Sequence, residues 1–215
     1  MKHFTELYVQ LDQTNKTNEK VEAMRSYFEH AEPHDSAWAL YFLSGRKPRQ
    51  IVPSKLLREW ALELSGIPEW LFMESRDTVG DSAETMALLL PNTTDTDETP
   101  LHILVEEKLL PLRVSDVEIQ KEAVTEAWSR MNYSQRLVYN KLISGAFRVG
   151  VVRKIREIGR AEVVSLMGDE IAARVFSDLD KNAGRYGDAA PPFIVPVRFT
   201  AENGDADDLR PIDSR

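Results

Sequence analysis

Apolar residues return every three or four positions along most of this chain, the period of a helix buried on one face. Phe4, Leu7, Tyr8 and Leu11 make one such stripe. After the polar break TNKTN the pattern resumes at Val21, Met24, Tyr27 and Phe28. Asp35 or Ser36 is placed to cap AWALYFLSG, which stops at Gly45. Pro53-Ser54 opens KLLREWALEL, where Leu56, Leu57, Trp60 and Leu64 share a stripe and Gly66 then Pro68 end the helix. PEWLFMESRDTV runs to Gly80, and Asp81 or Ser82 starts SAETMALLL, closed by Pro91.

NTTDTDET, residues 92–99, is polar and poor in apolar side chains, and it marks the best boundary between lobes. PLHILVEEKLL follows, then SDVEIQKEAVTEAWSRM, in which Ser115 and Glu118 have capping-box spacing. SQRLVYNKLISG ends at Gly145, and VGVVRKIREIG, AEVVSLMG and DEIAARVFSDLDKN complete the helical pattern. AAPPFIVPVRFTAENGDADDLRPIDSR has prolines and no helical period, and only PFIVPVRF in it has strand character. The expected fold is therefore all-α: a two-lobed bundle of about a dozen short helices with an extended C-terminal tail. The helical domain spans 1–185, with lobes at about 1–91 and 100–185, and 186–215 reads as a linker.

Composition agrees with a packed core, at 42% hydrophobic residues. The chain has no cysteine, which removes disulfides and thiolate metal sites and suits a reducing, cytoplasmic setting. The N-terminus lacks an apolar signal core, and no uncharged apolar run approaches the roughly 18 residues of a membrane span. His3, His30, His34 and His102 form no HExxH-type pair. His30 and His34 are four apart with Pro33 between them, which reads as a solvated loop. Glu106 and Glu107 read as surface charge, because neighbours on a helix diverge. Nucleophile-elbow, Walker and Rossmann glycine patterns are absent.

Charge changes the picture through its placement. The chain is acidic, with 27 basic against 35 acidic residues and a net charge of −8. Residues 44–58 nevertheless hold Arg46, Lys47, Arg49, Lys55 and Arg58 with no acid. Residues 136–160 hold seven basic residues opposed only by Glu157. The acids gather in the polar stretch and in the tail. In the second basic run, Gly145 and Gly150 flank Arg148, and Arg153 and Lys154 lie in the first turn of the next helix. Glycines there permit a tight turn with bare backbone, and the free amides of the following helix favour an anion. Ordinary helix punctuation beside a solvated basic face would look the same. Val79-Gly80-Asp81-Ser82 is a second helix–glycine–helix element, in which Asp81 is more naturally a cap than a phosphate ligand, leaving contact to backbone amides.

These residues carry a resemblance. LISGAFRVGVVRK resembles the glycine-rich helical hairpin of the DNA-binding domain that precedes the catalytic core in many ATP-dependent DNA ligases. TNKTNEKVEAMRSYF, AWALYFLSGRKPRQIVPSKLLREWA and GIPEWLFMESRDTVGDSAETMALLLP resemble the bacterial branch, in order, as do EEKLLPLR, QRLVYNKLISGAFRVGV and LMGD. The likeness covers about residues 1–180. It implies an all-helical domain that holds nicked duplex DNA through phosphates and the minor-groove face, without reading sequence, in replication, repair or recombination.

By position, the resemblance assigns DNA contact to Gly80, Asp81 and Ser82 in the first hairpin and to Gly145, Arg148, Gly150, Arg153 and Lys154 in the second. Arg46, Lys47 and Arg49 match a basic turn of the bacterial branch. Val152 departs from the family, where a small hydroxyl residue is common, which puts one side-chain phosphate contact in doubt. The nucleotidyl-accepting Lys-x-Asp-Gly motif is missing, since Lys181-Asn182-Ala183-Gly184 has alanine at the aspartate position. The chain is therefore expected to lie ahead of a nucleotidyltransferase domain of the same polypeptide, to carry no cofactor itself, and to seal nothing alone. ATP and Mg2+ are expected for the full ligase. A helical protein-interaction module with no nucleic-acid role is the competing expectation.

Overall fold

The computed structural model describes residues 1–43, 48 and 50–144. The readings made on 44–47, on 49 and on 145–215 lie outside the described residues, and so does part of the second lobe drawn at 100–185. Within the described residues the chain is helical and has no strand. The elements are α1 (Lys2–Gln13), α2 (Thr17–His30), α3 (Pro33–Leu43), α4 (Ser54–Ser65), α5 (Glu69–Val79), α6 (Ser82–Leu89), α7 (Leu101–Ile103), α8 (Val117–Ser129) and α9 (Tyr133–Ser144). α7 passes directly into a π-helical stretch, Leu104–Leu109, and a 3-10 stretch, Leu110–Val114.

The stripes seen in the sequence are the buried faces. Phe4, Leu7, Tyr8 and Leu11 of α1 and Met24, Tyr27 and Phe28 of α2 enter one core. α3 is buried on every side, so it shows no amphipathic stripe, and Trp38 stacks on Phe42 at 5.7 Å. That core runs continuously from α1 to α9 and takes in buried residues on both sides of 92–99. The polar stretch has no regular structure but is held in place. The Gln135 side chain accepts from the Asp97 amide at 2.9 Å and donates to the Asp97 carbonyl at 2.8 Å.

Several local readings are corrected. α3 begins at Pro33, two residues before the expected cap, because proline fits the first turn of a helix where its missing N–H is no loss. Asp35 instead receives the His102 backbone amide at 2.9 Å and faces His102 Nδ1 at 2.6 Å. His34 is half-buried, with its ring 5.2 Å from that of His102, rather than in a solvated loop. Leu64 leaves the α4 stripe and is 44% exposed, because the buried face of α4 is Leu57, Trp60 and Ala61. The capping box is not formed: α8 starts at Val117 after Asp116, and Ser115 Oγ donates back to the Pro111 carbonyl. Glu106 is no free surface charge, since Trp38 Nε1 donates to it at 2.8 Å. PLHILVEEKLL does not stay α-helical, as Pro111 has no N–H to continue the ladder.

Candidate nucleic-acid interface

The turn between α5 and α6 is built from local chemistry. Gly80 ends α5 in the left-handed region at φ +81°, and its N–H donates to the Arg76 carbonyl at 2.7 Å. A side chain at Gly80 would meet open space, so the backbone angle rather than crowding calls for glycine. Asp81 then caps α6. Its Oδ1 accepts from the amides of Ala83 at 2.8 Å and Glu84 at 3.1 Å, while Thr85 Oγ1 donates to its carbonyl at 2.7 Å. The expectation that Asp81 is a cap is what the structure shows.

The same turn is anchored from beneath by α9, the helix on which α6 packs most extensively. Lys141 Nζ donates to the second carboxylate oxygen of Asp81 at 2.6 Å and lies 5.9 Å from the centre of the Tyr8 ring. The Lys141 side chain is only 6% exposed, so Asp81 is its counter-ion in a largely dry place. Burial acts to raise the Asp81 carboxyl. The hydrogen bonds from Lys141, Glu84 and Ala83 and the Lys141 charge outweigh it and hold Asp81 below the ordinary carboxylate range. Asn140 adds a neutral tie, donating to the Ala83 carbonyl at 3.1 Å while accepting from Trp128 Nε1 at 2.8 Å.

In front of this turn is an open cleft of about 480 Å³. Ser54, Lys55 and Arg58 of α4 form one wall, and Arg76, Gly80, Asp81 and Ser82 form another. Ser144 of α9 also lines it. Arg76 Nε donates to Ser82 Oγ at 3.0 Å. Acids sit beside the cations but hold them loosely. Lys55 is 3.7 Å from Glu59, Arg58 is 3.4 Å from Glu69, and Arg76 is 4.0 Å from Asp77. A larger cleft of about 730 Å³ lies between α1 and α2, remote from the glycine turn, and mixes Lys2 with Glu6, Glu32, Asp35 and Glu98. It has no such bias toward cations.

Of the residues assigned from sequence, Gly80, Asp81 and Ser82 are brought together here. Arg46, Lys47, Arg49, Gly145, Arg148, Gly150, Arg153 and Lys154 lie outside the described residues. Sequence reasoning missed Arg76, Asn140 and Lys141, and it counted Lys55 and Arg58 only as charge. Arg76 had a signal, since it sits one helical turn before Gly80. Lys141 and Asn140 had none, because they reach the turn from about sixty residues away in sequence.

A family model described as the DNA ligase N terminus matches residues 1–156. The chain belongs to that family. As a DNA ligase N-terminal domain, its matched span includes Gly80, Gly145, Gly150 and all the basic residues assigned above. Comparison with curated proteins gives no match. Among the described residues of this ligase domain, no group of three or more His, Asp or Glu side chains could hold a metal ion. No described helix is long and apolar enough to cross a membrane.

Proposed function

We propose that this ligase N-terminal domain grips nicked duplex DNA by its backbone, without reading sequence, ahead of a nucleotidyltransferase domain in the same polypeptide. The observation that carries the reading is the cleft, where a glycine turn and three cations share one surface. Lysine and arginine on an open face neutralise phosphates and release counterions, which makes affinity large at low salt and indifferent to base sequence. The basic residues Arg46, Lys47, Arg49, Arg148, Arg153 and Lys154, assigned by the resemblance, add phosphate contacts of the same kind. The chain has no nucleotidyl-accepting lysine motif, so ATP and Mg2+ act on the catalytic domains, in replication, repair or recombination.

Fluorescence anisotropy with a labelled nicked duplex tests this. Binding is expected at low salt, with log K falling linearly against log salt by about 0.9 per phosphate neutralised. Absence of binding to nicked, gapped and intact duplex at low salt overturns it.

One observation favours a second reading as a protein-interaction module. Trp70 at 66% exposure lies beside exposed Leu71, and Leu64 is exposed at the end of α4. If this apolar surface is the functional face, W70A alters partner binding and duplex affinity is absent from the start.

A further inference from the structure

Two of the amides at the first glycine turn are already engaged within the protein. Asp81 already occupies those of Ala83 and Glu84, and Lys141 holds the carboxylate in that position. An anion arriving at this turn finds those two amides taken, which leaves a larger share of the attraction to the side chains around it. Resting on the duplex-binding reading, we infer that Arg58 and Arg76 form the seat for a backbone phosphodiester in this cleft, with Ser82 and Lys55 at its edge.

Arg58 supplies the sharpest observation. Its Nε is buried and has no hydrogen-bond partner among the described residues, while the tip of the same guanidinium is only loosely engaged by Glu69 at 3.4 Å. A buried donor left unpaired is a cost, and a small rotation of the Arg58 side chain, which is 32% exposed as a whole, would turn it to a phosphate oxygen in the cleft. Arg76 is aimed by its bond from Nε to Ser82 Oγ, which leaves its remaining N–H groups for a ligand apart from the long contact to Asp77. Asp81 is the only carboxylate among the described lining residues, and its charge is matched by Lys141 from behind. The cleft thus presents two planar guanidinium donors that their carboxylate partners hold only at 3.4 and 4.0 Å, the arrangement that suits phosphate oxygens better than lysine alone does.

The test compares the domain as it stands with R58M/R76M, R58K/R76K and the control R130M, an exposed arginine paired with Glu126 outside the cleft. Melting temperatures first establish that each is folded. R58M/R76M is expected to bind every duplex about tenfold more weakly at low salt, with a salt slope shallower by about 0.9. R58K/R76K keeps the slope but not the full affinity, because the charge remains and the fork is lost. R130M binds as the parent does. An unchanged slope and affinity in R58M/R76M, with the parent binding well, overturns the seat and leaves the duplex reading intact. Failure of the parent to bind any duplex overturns the duplex reading itself. Should the double variant not fold, R76Q alone decides, since its side chain is 46% exposed: an unchanged slope overturns the seat. Inorganic phosphate separates the two sources of the anion. If it binds the parent as tightly as duplex does, and the variant loses only phosphate, the seat is not one for a phosphodiester.

Discussion

Asp81 and Lys141 show how much a single pair can fix at the scale of the residue. Asp81 to Asn keeps a cap on α6 but removes the counter-ion of a nearly buried ammonium. We expect a loss of about 3 kcal/mol by urea unfolding, in line with breaking one side of a buried pair. Lys141 to Met should cost less, because Asp81 retains its amides and partial access to water. The pH dependence follows from the depressed Asp81 carboxyl. Its stabilisation is present in full above the ordinary carboxylate range and is lost as pH falls through its lower folded value. Asp97 behaves alike: burial would raise it, but the hydroxyl and amide of Thr99 and the Lys108 charge pull it down. Acid unfolding of D81N should therefore be flatter below about pH 4 than that of the parent. Gly80 to Ala should cost about 1–2 kcal/mol for its left-handed backbone, with no steric penalty.

Between elements, the central joint is α6 on α9, and Arg136 extends it to α8. Arg136 belongs to the basic run, yet it is 4% exposed, and burial lowers the pKa of its guanidinium. Its Nε donates to the Trp128 carbonyl at 2.7 Å and Nη1 to the Pro91 carbonyl at 2.6 Å, clipping the end of α6 to α8. R136M leaves both carbonyls unpaired, and we expect it to lower the urea midpoint by the equivalent of about 2–3 kcal/mol. A basic residue inside a charge run is thus no guarantee of a basic surface. The helices themselves were legible, because a stripe such as Phe4, Leu7, Tyr8 and Leu11 states its own buried face. The Gly80 turn was legible for the same local reason. What sequence could not show were contacts made across the fold, such as Lys141 to Asp81, Asn140 to Ala83, and Arg58 beside Arg76. Pro33 does separate two helices, but the letter alone could not show that it also opens the second, which moved the start of α3 ahead of Asp35.

For the molecule as a whole, the net charge of −8 and a cation-lined cleft coexist because charge acts where it is placed. The described lining of that cleft has lysine and arginine but no histidine. Duplex affinity should therefore stay flat between about pH 6 and 8 at fixed salt, because histidine and the Met1 amino group, which titrate there, are absent from that lining. A marked pH dependence in anisotropy would point to groups outside the cleft.

The joint beneath Gly80 also bears on kinetics. Every bond that shapes this turn is already made within the free protein, so docking there need not wait for a loop to order itself. The entropic toll of association is correspondingly small at this point. Encounter should be quick and steered by charge, and salt should act mainly on the association rate. On the duplex-binding reading proposed above, such a contact lets go and re-forms easily along a strand, so the domain would slide over intact duplex.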